Sequence, residues 1–157
     1  MSPEYREYAE RTVHNCQTIC DELKKTGNKI ITGGTDTNIM MWDIKPYGVN
    51  AKTMMSLGNA WNIQFNGVTL PTDMNFKYEG QGGLRFGTNV ITSRGYQEED
   101  WREVGRFVNE MANIARAIEK PGVSVWEEVI ALKGLSQNIE DFAYKFPLPG
   151  ITSQHIF

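Results

Sequence analysis

Two long stretches with apolar residues at three- and four-residue steps constrain the fold more than any other feature of the sequence. The first begins at Ser2, whose hydroxyl can cap a helix, followed by a proline and an acid in the first turn. It ends with two lysines and Gly27, a residue typical of helix C-termini. Its apolar stripe comprises Tyr5, Tyr8, Val13, Cys16, Ile19, Cys20 and Leu23. This spacing predicts one long amphipathic helix.

The second stretch lies in the C-terminal half of the chain. It begins with three acids at residues 98–100 and meets a Pro-Gly stop at residues 121–122. Its stripe comprises Trp101, Val104, Phe107, Val108, Met111, Ile114 and Ile118. We predict a second long helix here, followed by shorter helices that include Trp126, Val129 and Ile130.

Short apolar runs between the two helices are typical of strands. Residues 29–32 and 38–44 flank a Gly-Gly break, residues 62–70 can be extended, and residues 84–87 form a short run after a polar, glycine-rich loop. Asn50 is placed to cap a short helix before Gly58. Helices that flank a few strands without βαβ alternation predict an α+β domain over residues 1–150, with a loose tail at residues 151–157.

Composition narrows the class of protein. Apolar residues make up 40% of the chain and the formal net charge is −3, so a real core is expected but no basic surface for nucleic acid or anionic membrane. Cys16 and Cys20, the only cysteines, suggest two buried free thiols rather than a disulfide framework or a metal site. The amino terminus lacks the pattern of a secretory signal. We expect a cytoplasmic protein and leave a mitochondrial form open.

Several motifs, in order along the chain, resemble those of one enzyme family. Residues 32–38 (TGGTDTN), ahead of an apolar strand, are similar to a Ser-Gly-Gly-Thr-Asp-Asn element. Residues 83–88 (GLRFGT) and 92–96 (TSRGY) resemble a Gly-(Ile/Leu)-Arg-x-Gly-Thr strand and a Thr-x-Arg-Gly-aromatic helix entry. Residues 3–8 (PEYREY) and 146–148 (FPL) match further elements. The chain resembles the C-terminal small domain of a serine hydroxymethyltransferase.

This resemblance implies a small, mainly antiparallel sheet, as in fold-type-I pyridoxal-phosphate enzymes. It implies a dimeric or tetrameric parent that uses pyridoxal phosphate and tetrahydrofolate to interconvert serine and glycine. In the family the cofactor lysine follows a Thr-Thr-His segment in the large domain, a context that no lysine of this chain has. We therefore expect the isolated chain to be inactive, without catalytic residues, bound cofactor or metal, and monomeric or weakly associated.

Arg85 is the best candidate for a functional residue. A guanidinium can bind a carboxylate through two parallel hydrogen bonds. Because side chains alternate along a strand, Arg85 is expected to face the side opposite to its apolar neighbours Leu84 and Phe86. Physical reasoning alone favours a solvated or ion-paired arginine; the resemblance implies that Arg85 binds the substrate carboxylate. Asn66 lies about where family members present an asparagine to the folate, but a turn asparagine followed by glycine is an equal reading.

Three other residues are predicted to be structural and near the cleft. Arg94 precedes the second long helix and is expected to tie its loop to the domain. Thr35 and Asp36 follow the Gly-Gly pair and are expected to bond nearby backbone in a turn. The resemblance places this turn beside the active site without giving it a catalytic role.

Two alternative functions stay open at this stage. The chain could be a stand-alone binding domain without catalysis, whose partner covers an apolar surface. It could also be the small domain of another fold-type-I enzyme such as an aminotransferase, which likewise carries a carboxylate-binding arginine. The paired motifs at residues 33–36 and 92–95 argue against the aminotransferase.

Overall fold

A computed structural model describes residues 2–73, 81–118 and 125–150, and the side chains of all of these except residues 125–132. The described helices are α1 (Pro3–Lys25), α2 (Ala51–Ala60), α3 (Asn89–Ser93), α4 (Glu98–Ile118) and α5 (Val125–Ala143). The described strands are β1 (Lys29–Ile30), β2 (Ile39–Asp43), β3 (Asn66–Val68) and β4 (Gly83–Gly87). Short 3₁₀ turns occupy Ile31–Gly33 and Lys45–Tyr47.

The first long helix has the boundaries that its sequence signals predict. The Ser2 hydroxyl oxygen accepts a hydrogen bond from the backbone N–H of Tyr5 at 3.3 Å, which satisfies one donor of the first turn. At the other end Thr26 is the C-cap, and Gly27 follows with φ +83, a conformation that glycine adopts without strain. The predicted second helix is confirmed as α4, which begins at the acidic residues.

The sheet is antiparallel throughout the described strands, in the order β1-β2-β4-β3. The predicted α+β class is therefore confirmed. In the register of the two longest strands, Met41 of β2 lies opposite Arg85 of β4, and Asn66 of β3 lies opposite Arg85 on the other side. Residues directly opposite each other in an antiparallel sheet present their side chains on the same face.

One face of this sheet forms the core with the helices. Helix α1 packs on α4 and lies against β1 and β2, while α5 packs on α4 and α2 on β3. The largest fully buried side chains include Trp42, Trp101, Met40, Leu84 and Ile19. The Trp42 indole N–H donates to Asn28 Oδ1 at 3.1 Å, which satisfies the polar atom of this buried ring. Cys16 and Cys20 are buried free thiols, as predicted.

Several element boundaries differ from the predictions. The strand predicted over residues 29–32 ends at Ile30, because Thr32 adopts the left-handed φ of 63 within a 3₁₀ turn. The extended segment predicted over residues 62–70 narrows to Asn66–Val68. Helix α2 continues through Gly58 to Ala60. The short helix α3 follows β4 without having been predicted.

The C-terminal region forms one helix where several shorter ones were predicted. Helix α5 runs from Val125 to Ala143 and passes through Gly134, a residue that weakens helices. Leu135 and Ile139, four residues apart, are buried on the rest of the domain, so tertiary packing offsets the weak propensity. The predicted loose tail at residues 151–157 and the Pro-Gly stop lie outside the described residues, as does most of the predicted polar loop before β4. Within the described ranges, no helix is both long and apolar enough to cross a membrane.

Candidate functional site

Along strand β4, buried side chains alternate with side chains that face away from the core. Leu84 is fully buried and Arg85 is exposed. We call the side of the sheet that carries Arg85, Met41, Asn66 and Ile39 the open face. The two apolar members of this face, Met41 and Ile39, are 37% and 42% exposed. The open face thus carries exposed apolar side chains next to Arg85, which lies on an inner strand of the sheet.

Arg85 has no ion-pair partner among the described residues. Its immediate cross-strand neighbours are the thioether of Met41 and the amide of Asn66, neither of which neutralises a guanidinium. A planar guanidinium in such surroundings keeps its donors for a ligand and suits a carboxylate, which it can bind through two parallel hydrogen bonds.

The ends of the β3–β4 connection are held together by Asp73, a residue that sequence reasoning missed. The Asp73 side chain is only 1% exposed, and its Oδ2 accepts hydrogen bonds from the N–H groups of Leu70 at 2.7 Å and Gly82 at 3.0 Å. Its Oδ1 accepts from Lys45 Nζ at 2.8 Å. Because Gly82 directly precedes β4, Asp73 positions the start of the strand that carries Arg85. The local signal for this residue was a Pro-Thr-Asp turn, which sequence reasoning treated as part of the polar loop.

The electrostatics of Asp73 follow from these contacts. Burial on its own raises the pKa of a carboxyl group, because it disfavours the charged form. Here the hydrogen bonds from Lys45, Gly82 and Leu70 outweigh burial and lower the pKa of Asp73 below its ordinary value. The residue is therefore an ionised, structural carboxylate at neutral pH.

Thr35 and Asp36 lie in the turn that joins the 3₁₀ segment to β2. The Thr35 hydroxyl donates to the carbonyl of Ile39 at 2.6 Å and accepts from the N–H of Thr37 at 3.1 Å, so it holds the turn together locally. Asp36 is exposed. Both line a cleft of about 680 Å³ between α1 and this turn. Lys24 of α1 also lines the cleft, and its Nζ donates a hydrogen bond to the carbonyl of Gly33 in the turn at 3.0 Å.

Arg94 contacts a different part of the molecule from Arg85. Its Nη2 donates to the carbonyls of Ala143 at 2.8 Å and Phe146 at 2.7 Å, and its Nε donates to the carbonyl of Pro147 at 3.4 Å. These bonds link the turn after α3 to the C-terminal segment. The structure therefore brings together Arg85 and Asn66 but gives Arg94 backbone partners at the end of α5.

Four of the described lysines pair with a neighbouring carboxylate. A Schiff-base lysine needs a lowered pKa so that its amine is free to react. The Asp21 carboxylate raises the pKa of Lys24, and the Asp73 carboxylate raises that of Lys45. Lys25 and Lys29 are paired with Glu22 and Asp43. Lys52, Lys133 and Lys145 are exposed, and the lysines at positions 77 and 120 lie outside the described residues.

The fold and this site define the class: an α+β domain with one sheet face packed and the other open around an arginine that has no ion-pair partner in the described part of the chain. Comparison with known proteins then gives the family. The family model described as serine hydroxymethyltransferase matches residues 1–108, which is most of the chain. The chain therefore belongs to the serine hydroxymethyltransferase family. The match favours this family over an aminotransferase.

Individual relatives agree with the family match. The chain is 30% identical to a serine hydroxymethyltransferase of Caenorhabditis briggsae, over 96% of this chain and 31% of the relative. It is 30% identical to a cytosolic serine hydroxymethyltransferase of Oryctolagus cuniculus, over 96% and 34% respectively. It is 40% identical to the enzyme of Lactobacillus gasseri over 69% of this chain and 26% of the relative. The chain thus spans no more than about a third of the length of these curated relatives.

Proposed function

We propose that this chain forms the substrate-binding wall of a pyridoxal-phosphate-dependent serine hydroxymethyltransferase, as its C-terminal small domain. The reaction is the reversible transfer of a one-carbon unit between serine and tetrahydrofolate, which leaves glycine. The observation that carries the proposal is the position of Arg85, exposed and without an ion-pair partner in the described part of the chain, at the centre of an open sheet face. Family membership supports it.

Arg85 would bind the carboxylate of the amino-acid substrate. Its neighbours on the rigid strand β4 limit the directions the guanidinium can take, and Met41 and Asn66 flank it on both sides. Binding through two hydrogen bonds fixes the orientation of the amino acid as well as its affinity. Asp73 would act as a positioning residue, because it holds the start of β4 through Gly82.

Asn66 would contact the folate. It is the cross-strand neighbour of Arg85, so both side chains lie on the open face and can meet two parts of one ternary complex. An amide offers both a donor and an acceptor, which matches the edge of a pterin. Thr35 and Asp36 keep structural roles in the turn before β2, and Arg94 keeps one in linking the turn after α3 to the C-terminal segment.

We place the covalent chemistry outside the described residues. Pyridoxal phosphate supplies an electron sink when it is bound. No lysine of the chain follows the Thr-Thr-His segment that the resemblance associates with the cofactor, so the chain on its own is proposed to be inactive and monomeric or weakly associated. The parent would be a cytoplasmic dimer or tetramer, and residues 1–150 would be its small domain.

The first test concerns the gene and the isolated chain. The proposal expects the open reading frame to encode a cofactor-binding part upstream of residue 3. It also expects purified chain, mixed with pyridoxal phosphate and reduced with borohydride, to show no stoichiometric adduct by intact mass. A reading frame that starts at Met1 would replace the proposal with a stand-alone binding domain, and a single stoichiometric adduct would refute the absence of a cofactor site.

The second test concerns Arg85 in the holoenzyme that contains this chain. Loss of two charge-assisted hydrogen bonds in Arg85→Gln is expected to raise KM for serine by about 100-fold. Arg116→Gln, an exposed arginine near the end of α4, is the matched control and should leave KM unchanged. Asn66→Ala should raise KM for tetrahydrofolate and leave KM for serine unchanged. An unchanged KM for serine in Arg85→Gln would refute the assignment.

A further inference from the structure

A cavity of about 420 Å³ lies on the packed side of β4, between this strand and helices α3, α4 and α5. Its described lining is mainly apolar and largely aromatic, and includes Phe86, Tyr96, Trp101, Phe107, Ile139 and Phe142. Phe86 follows Arg85 on the strand and therefore faces the opposite side of the sheet. The cavity is thus separate from the open face where the substrate is proposed to bind.

One residue that lines this cavity has a buried polar atom without a partner among the described residues. Trp101 lines the cavity and is 1% exposed, yet its indole N–H makes no hydrogen bond within the described part of the chain. Buried indole N–H groups usually have an acceptor, because leaving one unpaired in an apolar environment costs folding free energy. Trp42, the other fully buried tryptophan among the described residues, has its acceptor in Asn28. The Trp101 indole N–H is therefore a buried donor without an acceptor in the described part of the chain.

A positive charge lies in the same lining. Arg94 is among the lining residues. Its guanidinium donates to carbonyl oxygens of the C-terminal segment, which satisfy hydrogen bonds without neutralising the charge. No carboxylate pairs with it among the described residues. A buried donor and an uncompensated cation both favour an anionic acceptor.

We propose that this cavity binds an apolar carboxylate: a molecule with an aromatic or alkyl body and one carboxylate group. The body would pack among Phe86, Phe107 and Phe142, and the volume lies within the range of small-molecule sites. The carboxylate would accept the hydrogen bond of the Trp101 indole and lie in the field of Arg94. This inference does not depend on the proposed transferase function.

The test is calorimetric titration of the full 157-residue chain with 2-naphthoate. Saturable binding of one molecule per chain is expected. Val104→Phe, which fills the cavity from α4, should weaken it by at least about tenfold, whereas Glu110→Phe, on an exposed position of the same helix, should not. Absence of saturable binding to the parent chain, or equal affinity in the two variants, overturns the proposal.

Two further arms test the chemistry, and thermal unfolding of each variant checks that it is folded. Trp101→Phe removes the donor, keeps an aromatic ring and should weaken 2-naphthoate by about three- to tenfold. The neutral 2-naphthalenemethanol should bind about tenfold or more weakly than 2-naphthoate. Equal affinity for the neutral compound overturns carboxylate recognition. Decanoate that binds more tightly than 2-naphthoate supports the proposal and identifies an alkyl acid as the ligand.

Discussion

The two faces of the central sheet use the same strands for different purposes. On the packed face, Met40, Trp42 and Leu84 are fully buried beneath the helices. On the open face, their neighbours Met41 and Arg85 are exposed. Because adjacent residues on a strand point in opposite directions, a shift of one residue separates a side chain that stabilises the domain from one that is available to a ligand. The comparison predicts that stability and recognition can be changed independently.

The largest expected effect contrasts two adjacent residues of β2. Trp42→Ala removes the largest buried side chain of the packed face and leaves Asn28 without its indole donor. We expect the free energy of unfolding to fall by about 3–5 kcal/mol, enough to unfold a marginal domain. Met41→Ala, one residue earlier on the open face, should cost less than about 1 kcal/mol. Urea unfolding of both variants measures the contrast, and equal losses would refute the separation of the faces.

A smaller effect is expected at the connection that leads into β4. Asp73→Asn removes the charge that accepts hydrogen bonds from Lys45, Gly82 and Leu70, and should cost about 1.5–3 kcal/mol. The exposed Asp36→Asn is the matched control and should be near neutral. Urea midpoints of the two variants at neutral pH make the comparison. A null result for Asp73→Asn would mean that the connection contributes little to the fold.

The pH dependence of the parent chain provides a second measurement on Asp73. Its pKa in the folded state is lowered relative to the unfolded chain, so its contribution to stability is present above the unfolded value of 3.8. That contribution should disappear as the pH falls through the lower, folded-state pKa. The Asp73→Asn variant should lack this part of the acid-induced loss, and identical acid profiles for variant and parent would contradict the assignment.

Gly83 sharpens the comparison because it lies at a covered corner of the otherwise open face. A Cβ added there would lie 2.5 Å from Leu70 Cδ2 and 3.0 Å from Val68 Cγ2. Gly83→Ala should therefore destabilise the domain by about 1–2 kcal/mol through overpacking. Gly34→Ala, where nothing lies within 4 Å of the added atom, is the control and should be near neutral in thermal unfolding. Equal melting temperatures for the two variants would show that Leu70 moves aside freely.

The smallest expected effect on stability belongs to the residue with the largest proposed functional role. Arg85 is exposed and has no ion-pair partner among the described residues, so Arg85→Gln should change the free energy of unfolding by no more than about 0.5 kcal/mol. Chemical denaturation of the isolated chain checks this value. A loss above about 1 kcal/mol would assign Arg85 to packing instead of recognition.

Sequence reasoning succeeded where the signals are local. The Ser2 cap, the lysines before Gly27 and the acids at residues 98–100 are short-range features, and α1 and α4 follow them closely. The β2 and β4 strands, the antiparallel α+β class and the family were also predicted. Prediction failed at α5, where shorter helices were predicted and the structure has one helix, with Leu135 and Ile139 buried against the rest of the domain.

Sequence reasoning named Arg85 and Asn66 as candidate site residues but did not predict their arrangement or the role of Asp73. By itself, the sequence determined that Arg85 alternates with apolar neighbours on a strand and that two amphipathic helices need a shared core, because these properties depend on spacings of two to four residues. Only the tertiary structure decided that Asn66 lies beside Arg85, that Asp73 meets Lys45 across 28 residues, and that Arg94 finds carbonyls 49 and 52 residues further along. Such contacts depend on where the chain returns in space, since strand register and the packing of distant segments are set by the whole core and not by any local pattern.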